Sequence, residues 1–203
     1  MQNYLILLRK KGDYYSGEHQ ELYLPTTHNE IEEALVNLGC RLSVHDYEVT
    51  YAEFGFPEVN RLAYGADIFE LNRLAYKLVD YLGTPGELCA ELVYTNCQSI
   101  ADVISHLNNR PQLHVLENVK DIYDAGEMWF KQDFLLNNRH KTTSYESFIQ
   151  EQLRHGDNHQ INQFVSCAMA KLRFTEYRFT PYGFVYEDGF PAPKNLGDIV
   201  LPF

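Results

Sequence analysis

Carboxylates are the side chains this chain offers most freely for chemistry. It has 28 Asp and Glu against 17 Lys and Arg, a formal charge of −11, and the imbalance is local. Residues 13–91 hold 15 acids and 4 bases. The first 12 residues carry +3, and residues 92–203 hold 13 acids against 10 bases. Acid–base catalysis needs two carboxyl groups in one cleft with their pKa values pushed apart, and nothing in the spacing selects such a pair. A dense acidic field does something simpler. It repels nucleic-acid phosphates and attracts a basic surface, including one built to hold DNA. Solubility is the blander use of the same charge.

Histidine and cysteine add little to this. His155, Asp157 and His159 offer imidazole and carboxylate ligands within one polar stretch, but no fourth ligand lies near, and the stretch reads equally as a linker between helices. Cys40 and His45 form a thiol–imidazole pair only if their loop folds back, and neither occupies a position that would activate a thiol. The four cysteines, Cys40, Cys89, Cys97 and Cys167, match neither a zinc knuckle nor a thioredoxin-like pair. Glycine-rich phosphate loops, HExxH and GxSxG do not occur. The expectation is therefore no enzyme, no cofactor and no metal. Eight tyrosines fall in the acidic half: Tyr14, Tyr15, Tyr23, Tyr47, Tyr51, Tyr64, Tyr76 and Tyr81. Stacking on single-stranded nucleic acid would require basic neighbours, so no direct nucleic-acid contact is expected. Tyrosine among acids suits a protein-binding surface, or simple packing of small α/β domains.

The elements that must hold these residues alternate between strand and helix periods. Residues 3–8 and 20–24 read as strands across a turn-like 12–17. Thr27 and Glu30 have capping-box spacing before an apolar stripe of Ile31, Ala34, Leu35 and Leu38. In 46–54, Tyr47, Val49 and Tyr51 alternate with Glu48 and Thr50, a strand with one face in, and Pro57 is expected to end regular structure nearby. Asp67 and Glu70 open a helix whose stripe runs through Leu82 to a stop at Gly83, and another helix begins within 86–94. Ser99 with Asp102 caps a further helix before an edge strand at 112–118. Helices follow at 121–134, 144–156 and 160–172, then a hairpin over 173–188 turning at 180–183.

These readings predict an α+β protein, an elongated series of three small α/β or helical domains. Residues 1–64 form an N-terminal α/β domain, 65–98 a central helical domain and 99–203 a C-terminal α/β domain. Hydrophobic content of 45% with 22% charged residues is a folded composition. No apolar run approaches 18 residues, so no membrane span is expected. The first apolar patch precedes its basic residues, the reverse of a secretory signal, which makes a cytoplasmic protein with reduced thiols the simplest expectation.

Taken in order, 22-LYLPTTHNEIEEALVNLG-39, 46-DYEVTYAEF-54 and 67-DIFELNRLAYKLVDYL-82 resemble the ArdA-type antirestriction family. The opening turn 12-GDYYSGEHQELYLP-25 and the later 98-QSIADVISHLNN-109, 121-DIYDAGEMWF-130 and 182-YGFVYED-188 are similar to segments of the same family. Coverage is good to about residue 130 and loose beyond. The resemblance implies a dimeric protein of mobile elements such as conjugative transposons, in which carboxylates stand in for DNA phosphates and block the DNA groove of type I restriction-modification enzymes. The implied mimic surface is Glu30, Glu32, Glu33, Asp46, Glu48, Glu53, Glu58, Asp67, Glu70 and Asp80. The basic run Arg9, Lys10 and Lys11, the nearly neutral third segment and the insertion-like 137–147 depart from the family pattern. They leave a second reading: an acidic interaction module of a mobile element with the same fold and another basic partner.

Overall fold

The computed structural model describes residues 3–14, 17–40, 46–138, 144–153, 157–173 and 176–187. Among these are eight helices and six strands in an α+β arrangement, with the strands in two separate three-stranded antiparallel sheets. The chain divides into two compact units, Met1–Pro111 and Gln112–Phe203. The boundaries expected near residues 64 and 98 both lie within the first. No helix among the described residues is long and apolar enough to cross a membrane.

In the first unit β1 (Tyr4–Lys10) is the central strand, paired antiparallel with β2 (Gln20–Leu24) on one side and β3 (Tyr47–Glu53) on the other. Alternation sends Tyr4, Ile6, Leu8, Leu22, Leu24, Tyr47, Val49 and Ala52 to one buried face. Helix α1 (His28–Asn37) begins with the full Thr27–Glu30 capping box and buries Ile31, Ala34 and Leu35. Burying each of the two larger side chains contributes roughly 1.5–3 kcal/mol.

Three details depart from the sequence expectation, each for a local reason. Tyr51 was expected to face inward with Tyr47 and Val49. Instead Leu8 pairs with Val49 and Leu7 with Tyr51, so Thr50 is an extra residue, a β-bulge. The bulge exchanges the faces: Ala52 turns inward and Tyr51 is 40% exposed. Pro57 does not end regular structure but opens α2 (Pro57–Ala63). At the first helical position its missing N–H has no helical partner to lose, and its fixed φ suits the helix. Helix α3 (Ile68–Val79) is capped by Asp67 as its spacing implies, but it stops at Val79, and Leu82 is 99% exposed. The cause is Tyr81, whose ring packs edge-on against Phe56 and lies under the Arg110 guanidinium, drawing the chain off the helical path.

Helices α4 (Pro85–Tyr94) and α5 (Ile100–Asn108) open on capping boxes, Thr84 with Glu87 and Ser99 with Asp102. They complete the unit by packing against α2 and α3, α4 on α2 and α5 on both.

The second unit has its own sheet, ordered β4 (Leu113–Leu116), β6 (Gly183–Glu187), β5 (Tyr177–Thr180). β4 is the edge strand its sequence suggests, and β5 and β6 form the hairpin across Pro181 and Tyr182. Helices α6 (Ile122–Asn137), α7 (Tyr145–Leu153) and α8 (Asp157–Leu172) pack together, α6 mainly on α8. Their contact is backbone-close at Gly126, where an added Cβ would lie 2.1 Å from the Phe164 carbonyl oxygen. Trp129, Phe184, Tyr186, Leu172 and Val119 form the centre of this unit.

Candidate functional site

The first unit holds 16 acids against 8 bases, the second 12 against 9. The ten carboxylates singled out from sequence all lie in the first unit, and the structure divides them by what they touch. Six are engaged within the fold. Glu30 closes the capping box: one oxygen accepts from the Thr27 amide at 2.9 Å, from the Thr27 hydroxyl at 2.8 Å and from the Thr26 hydroxyl. The Thr26 hydroxyl, then the Thr27 amide and hydroxyl, pull its pKa down to about 2. Asp67 caps α3 through the Phe69 and Glu70 amides and accepts the Tyr47 hydroxyl at 3.1 Å. Glu48 pairs with Arg9, Glu58 with Arg61 and Glu32 with His28. Glu53 accepts from the Gly55 amide, the Asn60 amide group and the Tyr51 hydroxyl.

Of the remaining four, Asp46 uses its carbonyl oxygen to receive the Lys11 amide and the Cys40 thiol. Glu33, Glu70 and Asp80 are exposed, and their carboxylates have no hydrogen bond or ion pair among the described residues. The same is true of Glu21, which sequence reasoning did not single out.

Two of the acid-bearing helices are tied together at their starts. The Thr26 amide donates to Asn72 Oδ1 at 2.8 Å, and Asn72 Nδ2 donates back to the Thr26 carbonyl at 2.9 Å. The Tyr76 hydroxyl reaches the same carbonyl, and His28 lies over the Phe69 ring at 4.8 Å between centroids. The first turn of α1, with Glu30, is thereby fixed beside the α3 face that carries Phe69, Asn72 and Tyr76. A shallow hollow at the start of α3 is lined by Tyr64, Asp67, Glu70, Gln98 and Ser99.

The tyrosines also divide. Tyr14, Tyr23, Tyr51, Tyr64 and Tyr76 are between 40% and 62% exposed. Tyr47 is buried, donating to Asp67 and accepting from the Ile68 amide, and burial is the main cause that raises its pKa to about 12. Tyr15 lies outside the described residues, as do His45 and the side chains of His155, Asp157 and His159. Among the described residues no group of His, Cys, Asp and Glu has the arrangement of a metal site, and Cys40, Cys89, Cys97 and Cys167 are all free thiols.

One charged cluster escaped sequence reasoning. Glu91 on α4 is wholly buried, with Oε2 2.8 Å from His106 Nε2 on α5. Arg110 grips the same carboxylate through Nε and Nη2, the latter 2.6 Å from Oε1, and reaches Glu87 at 2.8 Å. Burial works to raise the Glu91 pKa, but the hydrogen bonds from His106 and Arg110 outweigh it and hold the carboxyl below its usual range. Hydrogen bonding to Glu91 raises the Arg110 pKa in turn. The cluster ties α4 to α5 and the end of the unit. The only sequence signal was a glutamate at an apolar position of α4, between Ala90 and Leu92. His106 also lines an open hollow with Cys97 and Asp102, but the Cys97 thiol pairs with the Thr95 hydroxyl at 3.4 Å, and burial raises its pKa. That disfavours the thiolate a nucleophile requires. The chain matches no protein-family model and no curated protein.

Proposed function

We propose that this chain is an acidic binding protein whose first unit occupies a basic, DNA-binding protein surface in place of DNA, with a type I restriction-modification enzyme as the partner. The observation that carries this reading is the concentration of charge: 16 acids against 8 bases in residues 1–111. Exposed carboxylates at Glu33, Glu70 and Asp80 have no hydrogen bond or ion pair among the described residues. A phosphate mimic requires such groups, because each must stay free to meet a Lys or Arg. The order of segments resembling the ArdA-type family supports the choice of partner. The capping roles of Glu30 and Asp67 limit how far those two carboxylates can turn toward a partner, so the working surface is narrower than the ten acids of the resemblance.

The test is inhibition of DNA cleavage by a type I restriction enzyme. Glu33→Gln, Glu70→Gln and Asp80→Asn together should weaken inhibition at least tenfold, and rising salt should weaken the wild type. Glu30 and Asp67 are left intact because changing them would loosen α1 and α3. Inhibition undiminished by the triple change would remove these carboxylates from the mechanism, and absence of inhibition would remove the partner. The exposed Tyr14, Tyr23, Tyr51, Tyr64 and Tyr76 favour a second reading, an interaction module for a different basic protein that uses aromatic contacts as well as charge.

A further inference from the structure

The outer face of the first sheet has a composition that solvent does not explain. Strand β1 reads Tyr4-Leu5-Ile6-Leu7-Leu8, apolar on both sides. Such a run belongs to strands covered on both faces, whereas a strand with one wet face alternates apolar with polar. Among the described residues of the first unit the helices pack on one side: the Tyr47 hydroxyl on the inner face meets the start of α3, and α1 and α3 both pack on β2. On the other side Leu5 and Leu7 are half-buried at the centre, with Tyr23 at 53% and Tyr51 at 40% exposure beside them. Tyr51 is there because of the bulge at Thr50.

The register orders this face into rows. Tyr23, Leu5 and Glu53 form one row, Glu21, Leu7 and Tyr51 the next, and Arg9 with Glu48 the start of a third. Each flank of the leucine stripe therefore carries one tyrosine and one glutamate, placed in opposite order. Strands lie about 4.8 Å apart and successive same-face residues about 6.8 Å, which sets Glu21 and Glu53 on diagonal corners roughly 12 Å apart. The one base on the face, Arg9, is held by Glu48 and lies 4.9 Å from the Tyr14 ring centroid.

We infer that this face is a docking site for a basic amphipathic helix of a protein partner. A helix is the element that ordinarily covers an open sheet face, and its width of about 10 Å matches the span of three strands. Its apolar stripe lies along Leu5 and Leu7. Cations on its two flanks meet Glu21 and Glu53, staggered by about one row, and pack on the Tyr23 and Tyr51 rings as Arg9 already does on Tyr14. Charge complementarity decides the sign of the partner: Arg9 and Glu48 neutralise each other, and Glu21 and Glu53, which accepts only from neutral donors, are left without a cation among the described residues. The site lies across the sheet from α1 and α3, so it is separate from Glu33 and Glu70.

The probe is a fluorescein-labelled, 18-residue amphipathic helix of Leu, Ala and Lys, titrated with the full chain and followed by fluorescence anisotropy. Saturable binding is expected. It should weaken at least fivefold for Tyr23→Thr, for Glu21→Gln, and for a probe whose stripe leucines are serine. Glu33→Gln with Glu70→Gln should leave it unchanged, so loss of restriction inhibition and loss of this site are separately visible. Tyr23 and Glu21 are exposed on an edge strand, and circular dichroism melts of both variants confirm that the fold is kept. Absence of binding, or binding indifferent to the serine probe, overturns the inference by leaving charge alone. A wild-type dimer in sedimentation that Tyr23→Thr dissociates also overturns it, because a second copy would then be the occupant.

Discussion

Replacing Arg110 by leucine leaves the Glu91 carboxylate without its main cation in a place that water does not reach. Removing one partner of a buried ion pair costs about 3–5 kcal/mol. The low end applies here, because His106 remains 2.8 Å from Glu91 and Arg110 itself is partly exposed. A loss of about 3 kcal/mol, at roughly 4 °C per kcal/mol for a unit of this size, lowers its midpoint by about 12 °C. The dependence on pH also changes. In the wild type the Glu91 pKa is lower folded than unfolded, so its stabilisation is full above the unfolded value of about 4.3 and is lost as pH falls through the folded one. In Arg110→Leu the hydrogen bond and charge of Arg110 are lost while burial and the His106 hydrogen bond stay, so the folded pKa rises from its wild-type value. The deficit relative to wild type is then larger at pH 7 than at pH 3. Urea unfolding followed by far-UV circular dichroism measures both effects, with amide exchange in α4 and α5 assigning the transition to the first unit. Adding Glu91→Met to Arg110→Leu should recover part of the loss, since it removes the unpaired buried charge but leaves the buried His106 ring without its carboxylate partner. A loss under 1 kcal/mol in the single variant, or a double variant no more stable than the single, would refute the account.

Three further outcomes follow from particular contacts. Gly126→Ala places a Cβ against the Phe164 carbonyl and must push α6 from α8, so the second unit should lose about 3 kcal/mol, read from Trp129 fluorescence during unfolding. Thr27→Ala removes the cap of α1 and should cost about 1 kcal/mol in urea unfolding, with faster amide exchange confined to the first turn. A carboxyl-carbon NMR titration should place Glu30 near 2, and Thr26→Val should move it upward. Because that pKa is depressed on folding, the stabilisation from Glu30 is present above the ordinary carboxylate range and lost as pH falls toward 2. A Glu30 midpoint near 4 would show that the cap is not formed in solution.

Local grammar was enough for most of the elements. Thr27 with Glu30, Asp67 with Glu70 and Ser99 with Asp102 lie next to the backbone amides they satisfy, so their helix starts follow from spacing alone. The edge strand at Leu113–Leu116 and the hairpin at Tyr177–Glu187 were legible for the same reason, and the excess of acids in the first half was a matter of counting. What spacing could not carry was any outcome that depends on a partner far along the chain. Thr50 becomes a bulge only through the register of β3 against β1, and that one residue turns Tyr51 outward onto an open face. Tyr81 ends α3 because Phe56 and Arg110, distant in sequence, hold its ring. Glu91 looks like a misplaced acid on an apolar face until His106 and Arg110 arrive 15 and 19 residues later. The division of the carboxylates has this origin only in part. Composition counts charges without regard to use: Glu58 with Arg61 is a local helix pair, Glu48 meets Arg9 only because β1 and β3 come together, and Glu33 and Glu70 are left facing solvent.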